Sequence, residues 1–410
     1  MPIVYERMGY QNPENFPPPV VQSPWQRHHD WVTHLNNAEK YVAESTMFWL
    51  PALETDLFNH ELMLLAKKGT VSTNLHVGAI NGMAPGGKHL TLFPKNPFFD
   101  KNAPNPQAWK QLEADCNHMR ESGVHMFINN PPRNFIARMF PHFQTDHRKV
   151  GVVDTTVGWF KDFNKGEDSY DMLTYAIRFM HPPTVQALKD QIAYSRYLND
   201  EGEYIDRRPS GDLRVEIPGQ PFELLMDRGD PGKSVMMDSV LLEAKRDGLA
   251  IHASQYPISG RMSRAIIERS KRGQDTIVVT SDVNCPELSL QMLRKGQISG
   301  RALAALKWKY DTENNPYIRT VFHDGYVHSK AFLVLNEQGV FGIVGTNNFN
   351  EVGIIGGTQE YGFRFFAPSD LACQLYIRHL TDVRLQNDEL HMLDDQRLLE
   401  KYPHLQRLIN

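Results

Sequence analysis

Cysteine and long apolar runs are both scarce in this chain, and each absence excludes a class of protein. The 410 residues contain only three cysteines, Cys116, Cys285 and Cys373, which lie far apart. An odd, scattered set builds neither a disulfide framework nor a zinc site, so we expect a reducing compartment and no metal. The most apolar run, residues 47–50, stops at Pro51, well short of the roughly 18 residues that a membrane span needs.

An excess of positive charge is missing as well. The formal net charge is −4 at pH 7, whereas general binding to nucleic acid depends on positive charge. The amino terminus, residues 1–7, has no apolar segment of the kind that forms a secretory signal. We therefore expect a cytoplasmic protein that does not bind nucleic acid.

Two His-x-Lys segments stand out among the residues that are present. His147 and Lys149 form the first, His328 and Lys330 form the second, and an apolar, strand-like run follows each at once. One such tripeptide is expected by chance about once in a chain of this composition, but two in matching contexts predict a duplicated half-site. Two imidazoles and two ammonium groups suit displacement at a phosphodiester. One imidazole attacks while the other protonates the departing oxygen.

The surrounding pattern also repeats. In each half a strand-like segment precedes a helix that ends with basic residues and a glycine, and a second strand follows. Strands that alternate with helices predict an α/β protein with mostly parallel or mixed sheets. The two glycines, Gly69 and Gly273, lie 204 residues apart, whereas the two motif histidines lie 181 residues apart. The difference predicts an insertion of roughly twenty residues in the first half, within 82–106. The repeated segments are 41–50, 60–69 and 71–80 in the first half, and 249–256, 263–273 and 276–280 in the second.

These repeats give a division of the chain. A polar stretch rich in Gly, Pro, Asp and Arg separates the two halves and is interpreted as a linker. The predicted units are an N-terminal extension (1–30), a first half (31–200), the linker (201–235), a second half (236–380) and a C-terminal helical tail (381–410).

The paired motifs resemble those of the phospholipase D superfamily, which carries H-x-K-x4-D twice. The first copy is complete, with Asp154 at its end, whereas Leu335 stands where the second copy should have its Asp. Residues 345–350 read Gly-Thr-Asn-Asn-Phe-Asn, similar to the family's G-S-x-N segment. After the first copy, Asn164 aligns with the family Asn, but Lys161 and Asp162 replace the usual small pair. The lead-in to the first motif, residues 121–149, looks most like bacterial cardiolipin synthases.

The resemblance implies a fold and a mechanism. The fold is two αβα sandwich halves related by a pseudo-twofold axis, with the active site at their interface. His147 is the expected nucleophile, which forms a covalent phosphohistidine, and His328 is the general acid. A carboxylate lies behind each histidine and crosses between halves, so that Glu360 orients His147 and Asp171 orients His328. No cofactor is required. The other expected residues are Lys149, Lys330, Asn164, Asn348 and Thr346 around the phosphate, with Asp154 and Gly345 in structural roles.

The substrate is suggested by the residues before the first motif. Between 130 and 143, aromatic and aliphatic side chains alternate with arginines. Arg133, Arg138 and Phe140 are predicted to form a lip for acyl chains and an anionic headgroup, although half of these aromatics could equally belong to the core. A glycerophospholipid substrate would make the protein a phosphatidyltransferase or a phospholipase D, peripheral on the inner face of the membrane.

Two alternatives stay open, and so does the oligomeric state. One alternative is a nuclease of the same superfamily, and the other is a lipid-binding protein with a decayed second half-site. Residues 82–89 nearly spell a phosphate-binding P-loop, but His89 replaces the required hydroxyl and an ordinary loop is predicted. His28, His29, Asp30 and His34 are interpreted as a polar helix face rather than a metal site.

Overall fold

The computed structural model describes residues 17–46, 53–78, 106–131, 146–163, 172–199, 201–296, 299–383 and 396–409. These residues form two large mixed sheets with helices packed on them, which confirms the predicted α/β class and the two-half architecture. No helix within these ranges is both long and apolar enough to cross a membrane.

The first half begins with a short edge strand and contains the first His-x-Lys motif immediately before β5. Its elements in chain order are β1 (Val20–Gln22), α1 (Pro24–Asn36), β2 (Tyr41–Thr46), α2 (Leu53–Lys67), β3 (Ser72–Gly78), α3 (Pro106–Glu121), β4 (His125–Asn129), β5 (Val150–Val153), β6 (Val157–Lys161), β7 (Ala176–Phe179), α4 (Pro182–Ala193), β8 (Arg196–Leu198) and β9 (Tyr204–Asp206).

The second half repeats this plan, with the second motif immediately before β15. Its elements are β10 (Leu213–Glu216), β11 (Phe222–Asp227), α5 (Val235–Glu243), β12 (Leu249–Ser254), α6 (Gly260–Lys271), β13 (Thr276–Ser281), α7 (Pro286–Arg294), α8 (Gly300–Thr312), β14 (Ile318–His323), β15 (Ala331–Asn336), β16 (Gly339–Gly345), α9 (Glu351–Gly356), β17 (Glu360–Phe365), α10 (Asp370–Thr381), α11 (Gln396–Lys401) and α12 (Pro403–Ile409).

The strand orders show the duplication directly. The first sheet runs β1-β7-β6-β5-β2-β3-β4-β8-β9 and the second runs β10-β11-β17-β16-β15-β12-β13-β14. The same six-strand centre recurs, because β7-β6-β5-β2-β3-β4 corresponds to β17-β16-β15-β12-β13-β14. Three strands of each centre are parallel and the rest are antiparallel. The helices before β3 and β13 both end at glycines with positive φ, Gly69 (70°) and Gly273 (72°), as the repeated basic-then-glycine pattern predicts.

The two halves share one hydrophobic core. Aromatic rings from both sheets meet edge to face or stacked where the sheets face each other. The ring centroids of Phe160 and Tyr361 are 4.9 Å apart, and those of Phe179 and Phe363 are 5.0 Å apart. The motif histidines therefore sit beside a packed interface rather than in a gap between independent domains.

Three predicted boundaries need correction. Residues 20–22 pair with β7 and α1 begins at Pro24, so the first half begins before residue 31. The predicted linker contains β9, β10 and the fully buried β11. Composition concealed these strands because β10 lies at a sheet edge and alternates exposed with half-buried residues, which makes the segment polar overall. The C-terminal helices are part of the second half, since Leu398, Tyr402 and Leu405 lie in the shared core.

Asp154 holds a turn of the backbone in the first half. Its own φ is +53°, and its carboxylate accepts the peptide N–H groups of Glu39 (3.0 Å), Lys40 (2.8 Å) and Tyr41 (2.8 Å) just before β2. A carboxylate serves here because it offers several acceptor positions to converging donors. The Asp of the first motif therefore has a structural role, because its carboxylate supports this backbone turn.

The second half supports the same turn in another way. Leu335 is buried in the core, and the N–H of Gly248 donates to Oε1 of Gln274 at 2.8 Å. Gly248 has a φ of 130°, and a Cβ at this position would lie 2.1 Å from the carbonyl oxygen of Leu335. The missing Asp is thus replaced by the side-chain amide of Gln274, which lies between α6 and β13, and by a close glycine contact.

The role of Asp154 can be measured by unfolding. We expect Asp154→Ala to lower the free energy of unfolding by about 2 kcal/mol, because three backbone donors lose a charged acceptor. Urea denaturation followed by circular dichroism is the measurement, with the exposed Asp247→Ala as the matched control. Equal stability of the two variants would contradict the assignment.

Candidate active site

The two motif histidines lie where the halves exchange backbone hydrogen bonds. The N–H of His147 donates to the carbonyl of Gln359 at 2.9 Å, and the N–H of His328 donates to the carbonyl of Leu173 at 3.1 Å. Each histidine therefore precedes a strand of its own half while its backbone is bonded to the other half. The arrangement brings residues 181 positions apart in the chain to one interface.

His147 is bonded to a carboxylate from the second half. Its Nδ1 lies 3.0 Å and 2.9 Å from the two carboxylate oxygens of Glu360, and the Thr346 hydroxyl donates to the same carboxylate. A carboxylate only accepts, so Nδ1 carries the proton and Nε2 keeps its lone pair. Burial lowers the pKa of His147, while the charge of Glu360 opposes that change. The geometry agrees with the predicted crossing of Glu360 to His147.

His328 has a different environment. Burial first, and then the positive charges of Lys330 and Lys149, hold its pKa well below the ordinary value. The ammonium of Lys330 lies 2.8 Å from Nδ1 of His328, and the ring is also hydrogen-bonded to the peptide carbonyl of Asp162. The two imidazoles are therefore chemically unequal, which is what a nucleophile and a proton donor in one site require.

The two motif lysines are fully buried beside the histidines. Strand alternation places Lys149 and Lys330 on the same face as the histidine two residues earlier. The ammonium of Lys149 donates to the carbonyl of His147 at 2.9 Å. Buried ammonium groups are costly unless an anion approaches them, so this cluster is suited to bind one.

The loop after β16 adds polar groups to the same region. A Cβ at Gly345 would lie 2.2 Å from the Cε of Met236 and 3.0 Å from the carbonyl oxygen of Tyr361, so a side chain here would displace Met236 and crowd β17. Asn347 holds the loop by donating to Asp227 at 3.1 Å. Oδ1 of Asn348 is buried and has no hydrogen-bond partner among the residues that the structure describes.

Solved structures superpose on nearly the whole of this fold, although no family model and no curated protein matches the chain. Phosphatidylserine synthase from Haemophilus influenzae Rd KW20 superposes with a TM-score of 0.60 and 13% identity, over 95% of this chain and 94% of that one. The chain therefore shares the overall fold of this enzyme. The predicted resemblance is confirmed at the level of the fold.

A second match covers this chain equally well. Polyphosphate kinase from Porphyromonas gingivalis superposes with a TM-score of 0.54 and 10% identity, over 95% of this chain. The chain spans 55% of the length of that kinase. One fold thus appears in proteins whose names denote different phosphorus chemistry, so the fold alone leaves the reaction open.

The register between the halves corrects one predicted correspondence. Leu173 and Gln359 accept equivalent backbone hydrogen bonds from the two histidines, so the residues that follow them, Thr174 and Glu360, are structural equivalents. The sequence comparison instead matched Asp171 with Glu360. That match aligned carboxylates by type, and Asp171 itself lies outside the described residues, whereas the bridges between the halves give the equivalent place to Thr174.

Asp162 is the buried carboxylate that sequence reasoning did not assign to the site. It is fully buried, accepts the N–H of Tyr175 at 3.0 Å and the hydroxyl of Thr174, and interacts with the charges of Lys330 and Lys149. The available signal was its place in the G-S-x-N-like segment, where a small residue is usual.

Lys161, the neighbour of Asp162, points to the other face of the sheet. It pairs there with Glu44, to which Arg27 also donates at 2.8 Å, beneath α1. Burial lowers the pKa of Lys161 to about 7. Strand alternation turns this ammonium away from the shared core, although its charge still interacts with that of Lys149. Of the two unusual residues in this segment, only Asp162 faces the second motif.

The remaining predicted site residues have no structural account. They lie outside the described residues, as does the P-loop-like segment 82–89, and comprise Asn164, Asp171, Arg133, Arg138 and Phe140. The polar face predicted around Asp30 is on α1, where Asp30 binds Arg178 at 3.0 Å.

The His147–Glu360 pair makes a pH-dependent prediction. Glu360 raises the pKa of His147, so Glu360→Gln should lower that pKa further and move the acidic limb of the rate profile to lower pH. The maximal rate should fall on the order of 10²-fold, because the carboxylate no longer stabilises positive charge on the ring. The measurement is hydrolysis of bis(4-nitrophenyl) phosphate across pH 4 to 9. Exposed Glu216→Gln is the control, and an unmoved limb would contradict the pairing.

Proposed function

We propose that this protein is a phosphatidyltransferase or phospholipase D that acts on glycerophospholipids through a covalent phosphohistidine at His147. The observation that carries the proposal is the pair of unequal histidines: one is bonded to a carboxylate, and the other lies among buried ammonium groups. The phospholipase D superfamily fold supports phosphodiester or phosphoryl-transfer chemistry in general.

In the first step, Nε2 of His147 attacks phosphorus and a nitrogen–phosphorus bond forms. The bond from phosphorus to the headgroup oxygen breaks, and that oxygen takes a proton from His328. Glu360 stabilises the positive charge that develops on the ring of His147 through its bond to Nδ1. The products are a free headgroup alcohol and a phosphatidyl group on His147.

In the second step, His328 removes a proton from the acceptor, which is water or an alcohol. The acceptor oxygen attacks phosphorus, the nitrogen–phosphorus bond breaks, and His147 is restored. Transfer to an alcohol makes the protein a synthase, and transfer to water makes it a phospholipase D. The acceptor molecule that the site admits decides between these reactions. One of them is the cardiolipin synthase-like transfer suggested by residues 121–149.

The buried charges suit an anionic substrate. Lys149 and Lys330 lower the pKa of His328 when the site is empty. A bound phosphodiester brings a negative charge among these groups, so it should raise the pKa of His328 and prepare it as a proton donor. Asn348, with a buried and unsatisfied Oδ1, is proposed to bind the headgroup or the acceptor hydroxyl.

A lipid substrate is favoured by the surface next to the second motif. Helices α7 and α8 follow β13, whose last residue, Ser281, accepts the N–H of Val327 at 2.8 Å, next to His328. The helices therefore begin at the end of the sheet that lies beside the second histidine. Apolar side chains are exposed there, and we call them the apolar hairpin surface: Leu288, Leu290, Met292, Leu303 and Tyr310.

The apolar hairpin surface has the composition of a membrane-contacting element. Tyr310 is 83% exposed and Leu303 is 51% exposed, which is unusual for side chains of their size. Arg294 and Lys295 are exposed at the end of α7, where cations complement anionic headgroups. The net charge of −4 and the name of the Haemophilus neighbour, a phosphatidylserine synthase, also favour lipid over nucleic acid.

The reaction is tested with phosphatidylglycerol or phosphatidylcholine vesicles, with and without an added primary alcohol. We expect headgroup release, exchange when alcohol is present, and a radiolabelled covalent intermediate that is stable to base and labile to acid. His147→Ala should abolish release and label, whereas the exposed His60→Ala should retain both. Activity in His147→Ala would contradict the mechanism. Cleavage of DNA in place of lipid would favour the nuclease alternative.

The apolar hairpin surface is tested by vesicle flotation. We expect the double variant Leu288→Glu with Met292→Glu to bind vesicles of phosphatidylglycerol at least about tenfold more weakly. Two negative charges would replace apolar side chains that are exposed in the free protein and would be buried in the membrane on binding. Its rate on bis(4-nitrophenyl) phosphate should be unchanged, since neither residue touches the histidines. Leu242→Glu, at an exposed leucine of α5, is the matched control. Equal flotation of both variants would rule this surface out.

A further inference from the structure

We infer that Asp162 is a positioning residue for the second half-site, where it supplies the carboxylate that the pseudo-twofold relation would otherwise place at Thr174. The inference deepens the proposed function, because it concerns the histidine that donates and removes protons. It assigns a role to Asp162, whose equivalent position in the second half is occupied by the hydroxyl residue Thr346.

The first argument is an exchange of partners between the halves. Lys161 and Gly345 donate equivalent backbone hydrogen bonds to the two motif lysines, both at 3.0 Å. The residues that follow them, Asp162 and Thr346, are therefore equivalent.

Their partners are equivalent too, with the two chemical groups reversed. In the second half the hydroxyl of Thr346 donates to the carboxylate of Glu360. In the first half the hydroxyl of Thr174 donates to the carboxylate of Asp162. Each half thus keeps one hydroxyl and one carboxylate in contact, but the two residues have exchanged strands.

The second argument is what Asp162 faces. Its peptide carbonyl accepts a hydrogen bond from the ring of His328. Burial raises the pKa of its carboxyl group, and the charges of Lys330 and Lys149 oppose that change. One carboxylate oxygen, Oδ2, is buried and has no hydrogen-bond partner within the described part of the chain. A fully buried carboxylate with an unsatisfied oxygen is costly, so its retention needs nearby positive charge.

The exchange gives the two histidines different kinds of support. Glu360 bonds directly to the ring of His147, whereas Asp162 reaches the ring of His328 through its main chain and balances the adjacent lysines through its side chain. His328 must change its protonation state twice in each cycle. Lys330 and Lys149 disfavour protonation of His328. A carboxylate close to these lysines, with no direct bond from its oxygens to the ring, weakens that effect.

Asp162→Asn tests the charge. Asparagine can still accept from Thr174 and Tyr175, so the fold should be retained while the charge is lost. We expect the rate on bis(4-nitrophenyl) phosphate to fall at least about tenfold. The titration of His328 should move to lower pH, because a nearby negative charge has been removed. The readout is the 13C-labelled imidazole spectrum, with the signal assigned by His328→Gln.

A second pair of variants tests the exchange itself. Asp162→Thr alone should lose activity, and adding Thr174→Glu should restore it in part, because the double variant recreates the Thr346–Glu360 arrangement. The control for buried carboxylates in general is Asp275→Asn, at a carboxylate that binds Lys401 far from the motifs. It should lower the melting temperature and leave the His328 titration unchanged.

The outcomes separate this inference from the proposed function. An unchanged His328 titration in Asp162→Asn would overturn the inference, even if activity fell, and would leave only a structural role. Failure of Thr174→Glu to rescue Asp162→Thr, with both variants folded, would overturn the exchange. If the wild type cleaves no phosphodiester, the proposed function fails, while the His328 titration still tests the role of Asp162.

Discussion

The structure depends on two backbone hydrogen bonds that cross between its halves. His147 donates to Gln359, and His328 donates to Leu173, so each catalytic candidate is held by the half to which it does not belong. Aromatic rings from both sheets pack against each other in the same interface, and the hydroxyl of Tyr361 donates to the carbonyl of Lys149 at 3.3 Å. A single shared core thus aligns the two half-sites, because neither histidine can shift without disturbing a strand of the opposite half.

The duplication keeps the backbone and varies the side chains. The turn held by Asp154 in one half is held by Gln274 and a close glycine contact in the other. The hydroxyl–carboxylate pair beside each motif is present twice with its members exchanged. These substitutions preserve hydrogen bonds and charge balance while they make the two imidazoles unequal, and inequality is what a nucleophile and a proton donor require.

Several elements were predictable because their signals are local. The glycine ends of α2 and α6, the alternation of strands and helices, and the repeated His-x-Lys segments all depend on neighbours within a few residues. The edge strand β10 was taken for linker because its exposed face is polar. Loss of the Asp at Leu335 suggested decay, yet Gln274 supports the same turn from the connection between α6 and β13.

The sequence by itself determined the α/β class, the duplication, and the residue types that gather at the site. The resemblance also predicted Glu360 behind His147, and only the tertiary structure decided which residue occupies the equivalent place in the first half. Glu360 meets His147 across 213 residues of chain, and Thr174 rather than Asp171 occupies the equivalent place in the first half. The physical reason is register: pairing between the halves depends on bridges and packing that join distant segments, and the identity of a residue carries no record of those contacts.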